Sequence, residues 1–315
     1  MRYLSVCSGI EAVTMAWHDL GWKPAGFSEI EPFPSAVLAH HYPDVTNFGD
    51  MTKYKEWNLD GTIDLLVGGT PCQSFSVAGL RKGMDDPRGN LALVYCGMLD
   101  HFRPNWFVWE NVPGVLSSSG GRDFGSFLGA VAQLGYGFSY RVLDAQFCGV
   151  AQRRRRVFVV GHLGDWRPAA AVLFERFSLR RDLAPSAPQG KEPSAYFESS
   201  LAQYKQGDIG GTLKASGGVL GGGSETFLVQ KVMDKPAHKS YNLAVRRLTP
   251  KECERLQGFP DNFTNVPWRK KDTSPEGLRY KALGNSMAVP CMSWLGKRIQ
   301  MVEDNRVIVC AKSIF

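Results

Sequence analysis

What this chain lacks narrows it first. No apolar run approaches the ~20 residues that a membrane-crossing helix needs. Met1-Arg2-Tyr3-Leu4-Ser5-Val6 leads straight into strand-like sequence, without the basic, apolar and small-residue zones of a signal peptide. A cytoplasmic protein with no membrane partner is expected. The seven cysteines are odd in number and show no Cys-x-x-Cys spacing. That argues against a disulfide framework or a structural zinc site and suits a reducing compartment, so no metal is expected. Internal repeats and heptads are also missing. What remains is an ordinary globular chain whose 315 residues allow two domains and a real core.

Charge of one sign is not overwhelming either. Lys and Arg number 37 against 30 Asp and Glu, a net charge of +7 that describes many proteins without a polyanionic partner. The local groups Arg153 to Arg156, Arg246-Arg247 and Arg269-Lys270-Lys271 are more informative. Clustered cations, rather than the total, release counterions from phosphates, and they favour nucleic acid as the partner.

From Arg2 to about Leu163 strand-like and helix-like stretches alternate. Strands are expected at Arg2 to Cys7, Ala25 to Ser28, Thr62 to Val67, Trp106 to Trp109, and near Tyr140 to Leu143 and Val157 to Val160. Helices are expected at Ile10 to Leu20, Phe33 to His41, Leu91 to Phe102 and Asp123 to Leu134. The alternation predicts an α/β domain with a doubly wound, mostly parallel sheet. After Trp166 the sequence turns Pro-, Gly- and Ser-rich, which predicts loops and no second core of any size. Helical character returns at Thr249 to Leu256, where Thr249, Pro250 and Glu252 form a capping pattern. A last helix is expected at Met287 to Met301.

Two strand ends carry the chemistry. Ile63 to Val67 runs into Gly68-Gly69-Thr70-Pro71-Cys72-Gln73, a tight turn that presents one cysteine, and Trp106 to Trp109 delivers Glu110-Asn111-Val112. Ligands of open α/β sheets collect at the carboxyl ends of strands, so a thiol and a carboxyl would share one rim. A thiolate adds to electron-poor carbons, and a protonated carboxyl makes a ring electron-poor by donating to its nitrogen. The pair suits addition to a pyrimidine.

Taken in order, Ser8-Gly9-Ile10-Glu11-Ala12, Glu29, Asp50, Pro71-Cys72-Gln73, Arg88-Gly89-Asn90-Leu91, Glu110-Asn111-Val112, Gln152-Arg153-Arg154-Arg155-Arg156, Arg247-Leu248-Thr249-Pro250, Leu256-Gln257-Gly258-Phe259-Pro260 and Gly284-Asn285-Ser286 make the chain resemble the DNA (cytosine-5) methyltransferases over nearly its whole length. The resemblance implies S-adenosylmethionine as cofactor and double-stranded DNA as partner, from which a target cytosine is flipped. It implies Cys72 as the nucleophile at C6, Glu110 as proton donor to N3, Arg156 on the cytosine O2 and Arg154 in support. Cys7, Ser8, Gly9, Ile10, Glu29, Ile30, Asp50, Met51, Pro71, Leu91, Asn285 and Ser286 would line the cofactor. Gln73, Ser76, Arg81, Lys82 and Arg88, in or before a closing loop, would meet DNA; so would Arg153 and Arg155 as phosphate contacts, and Thr212-Leu213 near the recognition loops. Residues 1–164, completed by 276–315, would form the catalytic and cofactor domain, and 165–275 a smaller, loop-rich target-recognition domain.

The chain departs from the family pattern where Cys7 replaces a common aromatic and Glu11-Ala12 a glycine pair. Two rivals stay open. A tRNA cytosine-5 methyltransferase on the same fold is associated with a Cys-Phe-Thr signature that this sequence lacks. A non-catalytic DNA-binding protein would have no use for Cys72, Glu110 and Arg156. A monomer without an obligate protein partner is expected, and both phage and restriction-modification origins are compatible with the sequence.

Overall fold

The computed structural model describes residues 1–71, 91–174, 196–200, 203–207, 226–233 and 241–312. Two compact units divide the chain. The first comprises Met1–Leu143, Arg155–Leu183 and Cys291–Phe315, the second Asp144–Arg154 and Ala184–Pro290.

The first unit is built on a six-stranded sheet of β1 (Arg2–Val6), β2 (Lys23–Ser28), β3 (Leu65–Gly68), β4 (Trp106–Asn111), β5 (Tyr136–Asp144) and β6 (Arg155–Leu163), in the order β2-β1-β3-β4-β6-β5. β1 pairs in parallel with β2 and β3, and β3 with β4, while β6 runs antiparallel to β4. The expected doubly wound, mostly parallel sheet is therefore present. All four β3 residues are buried, as are all of β4 but Glu110, the mark of strands covered on both faces. Leu4, Leu66, Tyr95, Phe107, Trp109 and Phe127 belong to the core that covers them. The Tyr95 hydroxyl reaches the carbonyls of Leu66 (3.0 Å) and Val108 (3.1 Å) and ties β3 to β4 from above. On β6, Gly161 is required by close approach, because a Cβ there would lie 1.9 Å from the Phe107 ring.

Helices α1 (Ala12–Trp17), α2 (Pro32–His41), α3 (Leu91–Phe102), α4 (Arg122–Gln133) and α5 (Trp166–Leu173) flank these strands in sequence. α1 starts two residues later than the sequence predicts, because Ile10 and Glu11 belong to the turn that precedes it. α5 escapes the sequence reading: its eight residues include Pro168, and its apolar side is only Ala169, Val172 and Leu173.

The second unit holds an antiparallel sheet ordered β10-β9-β7-β8, from β7 (Tyr196–Ser200), β8 (Gln203–Gly207), β9 (Thr226–Met233) and β10 (Tyr241–Arg247). The composition had predicted loops there. Short strands such as Thr226-Phe227-Leu228-Val229 carry β-branched and aromatic residues suited to a sheet. Their pairing is non-local, however, and the glycine-rich stretch between β8 and β9 hides it from a linear reading. α6 (Pro250–Gln257) begins with the expected capping box: Thr249 N–H donates to Glu252 Oε2 (2.7 Å) and Glu252 N–H to Thr249 Oγ1 (3.3 Å). α7 (Glu276–Asn285) was not foreseen. α8 (Val289–Lys312) follows, and from Cys291 onward it belongs to the first unit. Three indoles hold it there: Trp17 Nε1 donates to Met292 O (2.7 Å), Trp22 Nε1 to Gln300 Oε1 (2.7 Å) and Trp106 Nε1 to Glu303 Oε1 (2.8 Å). No helix of the described residues is long and apolar enough to cross a membrane.

Candidate active site

The strand order reverses direction at β1, with β2 on one side and β3 on the other, so a crevice is expected outside the carboxyl ends of β1 and β3. The chain leaves β1 through Cys7 (φ 49°), Gly9 (φ 57°) and Glu11 (φ 64°), three left-handed residues within five. Such a turn is costly for Cys7 and Glu11, and the hydrogen bonds around it explain why it holds. Gly9 N–H donates to Glu29 Oε2 (2.8 Å), and Glu31 N–H donates to the other oxygen of the same carboxylate (2.7 Å). Ser8 N–H reaches Ser28 O (3.1 Å), and Ser28 N–H returns to Ser8 Oγ (3.1 Å). Glu11, fully buried, accepts from Ser5 Oγ (2.9 Å) and from both the amide and the hydroxyl of Thr14 (3.2 Å each). Burial outweighs these bonds and pushes its carboxyl up to about 7.

Glu29 and Ile30 follow β2. The Ile30 side chain is 69% exposed, and Asn47 brackets the Glu29 backbone by accepting from its N–H and donating to its carbonyl (3.0 Å each). Asp50 caps the 3-10 turn Met51–Glu56 by accepting from Thr52 N–H (2.9 Å). Cys7 Sγ lies 3.5 Å from Met51 Sδ, and burial, with Glu29 nearby, pushes its thiol up to about 12. The Cys7 thiol is thus kept protonated at neutral pH. The first unit therefore links Gly9 to Glu29 and Cys7 to Met51, among the expected cofactor set, while Asp50 bonds within its own turn. The group fits: a carboxylate suited to ribose hydroxyls stands beside an uncovered apolar side chain suited to a purine face. Among the described residues, a Cβ at Gly9 would meet nothing within 4 Å. No cluster of His, Cys, Asp and Glu among the described residues is placed to hold a metal ion.

The other rim lies between β3 and β4. Trp109 Nε1 donates to Thr70 Oγ1 (3.0 Å) and Asn111 Nδ2 to Thr70 O (2.9 Å), so the residue before Pro71 is fixed from the strand that carries Glu110. Thr70 was overlooked in the sequence, where nothing distinguishes it from turn filler. Glu110 Oε1 lies 3.1 Å from Arg156 Nε on the antiparallel neighbour β6, and the two side chains are 12% and 15% exposed. Cys72, Gln73, Ser76, Arg81, Lys82 and Arg88 lie outside the described residues, as do Thr212 and Leu213.

Burial alternates along the arginine run, as a period of two predicts: Gln152 and Arg154 are buried, and Arg153 and Arg155 are exposed. Arg154 belongs to the second unit, where its Nη2 donates to Gly284 O (3.1 Å) and Ser286 O (2.7 Å). A guanidinium on the last carbonyls of α7 complements the negative end of that helix. Gln257 Nε2 donates to Leu283 O (2.7 Å), so two motif residues fix Gly284-Asn285-Ser286. The sequence did not reveal the buried Glu254, which accepts from Asn262 N–H (2.7 Å), Thr264 N–H (2.9 Å) and Arg279 Nη2 (2.9 Å), because its partners lie up to 25 residues away.

A doubly wound sheet with a glycine turn after β1 and an acid after β2 is the S-adenosylmethionine-dependent methyltransferase fold. The solved structures it is similar to share that fold. A mutant of Spodoptera frugiperda DNMT2 superposes with a TM-score of 0.65 at 20% identity, covering 95% of this chain and 99% of that one. A putative DNA modification methyltransferase of an Escherichia coli prophage gives 0.60 at 18%, with 96% and 99% covered. The family model described as C-5 cytosine-specific DNA methylase matches residues 1–187 and 214–301, and the chain belongs to that family. A protein of Escherichia phage P1 named DNA N-6-adenine-methyltransferase is 35% identical, over 94% of this chain and 61% of its own length. The chain thus spans about three fifths of that relative. Type II methyltransferase M2.BsuMI of Bacillus subtilis is 28% identical over 97% and 77%.

Proposed function

We propose that this chain is a DNA (cytosine-5) methyltransferase that flips a cytosine out of duplex DNA and methylates its C5. The observation that carries the reading is the bond from Asn111 to the Thr70 carbonyl: it locks the strand end bearing Glu110 to the strand end that leads through Pro71 to Cys72. C5 of cytosine is a poor nucleophile. Addition of the Cys72 thiolate at C6, with a proton passed from the Glu110 carboxyl to N3, turns C5 into an enamine carbon able to attack an electrophilic methyl group. When bound, S-adenosylmethionine supplies that methyl group; the Ser8-Gly9-Ile10 backbone, Glu29, Ile30, Asp50 and Met51 would hold it, with Pro71, Leu91, Asn285 and Ser286 as further contacts. Arg156 has a second duty: its guanidinium can leave Glu110 for the cytosine O2 as the base enters, freeing the carboxyl to take up its proton. Arg154 acts by positioning Asn285 and Ser286. Arg153 and Arg155, exposed on the opposite face, are suited to phosphates.

The name of the phage P1 relative raises a second reading, methylation of the adenine amino group. An exocyclic amine carries its own nucleophilic electrons and needs no thiol adduct, so Pro71-Cys72-Gln73 and Glu110 favour cytosine. The test is transfer of a labelled methyl group to mixed-sequence duplex DNA, with base-resolution readout, for wild type and Cys72→Ser. The expected result is 5-methylcytosine in one short context from the wild type alone. N6-methyladenine, or transfer only to RNA, would overturn the reading.

A further inference from the structure

Trp268 to Lys271 in the second unit forms a two-residue β-turn. Trp268 N–H donates to Lys271 O (2.9 Å) and Lys271 N–H to Trp268 O (3.1 Å), pairing the two residues antiparallel. The central residues, Arg269 (φ 44°) and Lys270 (φ 63°), both adopt the left-handed conformation that such a turn demands and that Gly or Asn supplies at least cost. The chain instead places two long cations there and a third, Lys271, directly after; all three are exposed. A turn strained by residues that carry charge points to use of that charge.

The surroundings make the turn a fixed presentation of cations. Ser274 closes its neck: Val266 N–H donates to Ser274 Oγ (3.1 Å), Ser274 Oγ to Val266 O (2.6 Å) and Ser274 N–H to Asn265 Oδ1 (3.1 Å). The Arg269 guanidinium lies 5.4 Å over the Trp268 ring, which orients it. Elsewhere in the same unit arginines are neutralised: Arg246 by Glu252, Arg255 by Asp261 and Arg279 by Glu254. Among the described residues Arg269, Lys270 and Lys271 have no such carboxylate partner, although Asp272 follows in sequence.

We infer that the Trp268–Lys271 turn is a docking point for the phosphate backbone of duplex DNA. The inference rests on the proposal that duplex DNA is the substrate. Three exposed cations on one hydrogen-bonded turn suit phosphates and not base edges, so the contact adds affinity that is independent of sequence.

The full chain is titrated by fluorescence anisotropy against a duplex carrying its methylated context and against a scrambled duplex, between about 50 and 300 mM KCl. Lys270→Gly and the pair Arg269→Ala with Lys271→Ala are compared with wild type. Each lost phosphate contact should flatten the slope of log K against log salt by about 0.9, and binding near physiological salt should weaken on the order of three- to tenfold per cation on both duplexes. Lys270→Gly should melt no lower than wild type, because glycine relieves the positive φ. A purely structural role would instead lower the melting temperature and leave the slope alone. Slopes and affinities equal to wild type, or a loss confined to the duplex with the methylated context, would overturn the inference while leaving the DNA methyltransferase reading intact. A wild-type chain that binds neither duplex would overturn both.

Discussion

Glu11 and Glu110 are two partly or fully buried carboxyls with different duties. Glu11 sits where the family resemblance implies glycine and bonds the β1 turn from beneath, through Ser5 and Thr14. Tyr3 and Tyr42 also face it, both kept neutral by burial. Its carboxyl is raised from the usual 4.5 to about 7 by desolvation. Below pH 4.5 the proton is bound in folded and unfolded chains alike and the contribution to stability is complete; as pH rises through about 7 it is lost. Glu11→Gln removes that dependence, so its melting temperature should gain on wild type from pH 5 to pH 8. Parallel profiles for the two proteins would show that Glu11 is already ionised in the fold. For Glu110 the measure is turnover. Glu110→Gln keeps the shape and loses the proton to be donated, so kcat should fall on the order of 10²- to 10⁴-fold with DNA affinity largely retained. A variant within twofold of wild type would remove Glu110 from the chemistry.

Among the elements, those with dense local signals were legible in the sequence and those held by distant partners were not. β3 and β4 announce themselves as apolar runs, and α6 by Thr249-Pro250 with Glu252. The short strands β7 to β10 do not: β9 becomes a strand by pairing with β10 and, across a glycine-rich stretch that dilutes any period, with β7. The motif arginines were visible as a run, but nothing local told that Arg154 would bond the end of α7, 130 residues on. The α6 cap gives an element-scale test. Arg246 bonds Glu252 bidentately (2.8 and 2.7 Å) and, with the Thr249 bonds, holds its carboxyl down at about 2. Stability from this group is present above pH 4.5 and is lost as pH falls toward 2, opposite in sign to Glu11. Thr249→Ala should cost about 1 kcal/mol, read by denaturant unfolding at neutral pH. No change would mean that Arg246 alone fixes the helix start.

At the scale of the whole molecule, the proposed chemistry asks groups from separate strand ends to act on one base. Cys72, Glu110 and Arg156 are spread over 84 positions in the chain, and no one of them identifies the reaction. A duplex in which 5-fluorocytosine replaces the target cytosine asks whether they act together. After the thiolate has added at C6 and C5 has taken the methyl group, the ordinary base loses its C5 hydrogen as a proton and the C6–sulfur bond breaks. Fluorine cannot leave as a cation, so the sulfur stays bound to the base. Wild type with cofactor and this duplex should therefore give a protein–DNA adduct that survives denaturing electrophoresis, and Cys72→Ser should give none. Glu110→Gln should form it far more slowly, because N3 receives its proton from water. An enzyme methylating the adenine amino group forms no bond to cytosine C6 at any time. Methylation without this adduct would therefore show that the rim between β3 and β4 does something other than nucleophilic addition to cytosine.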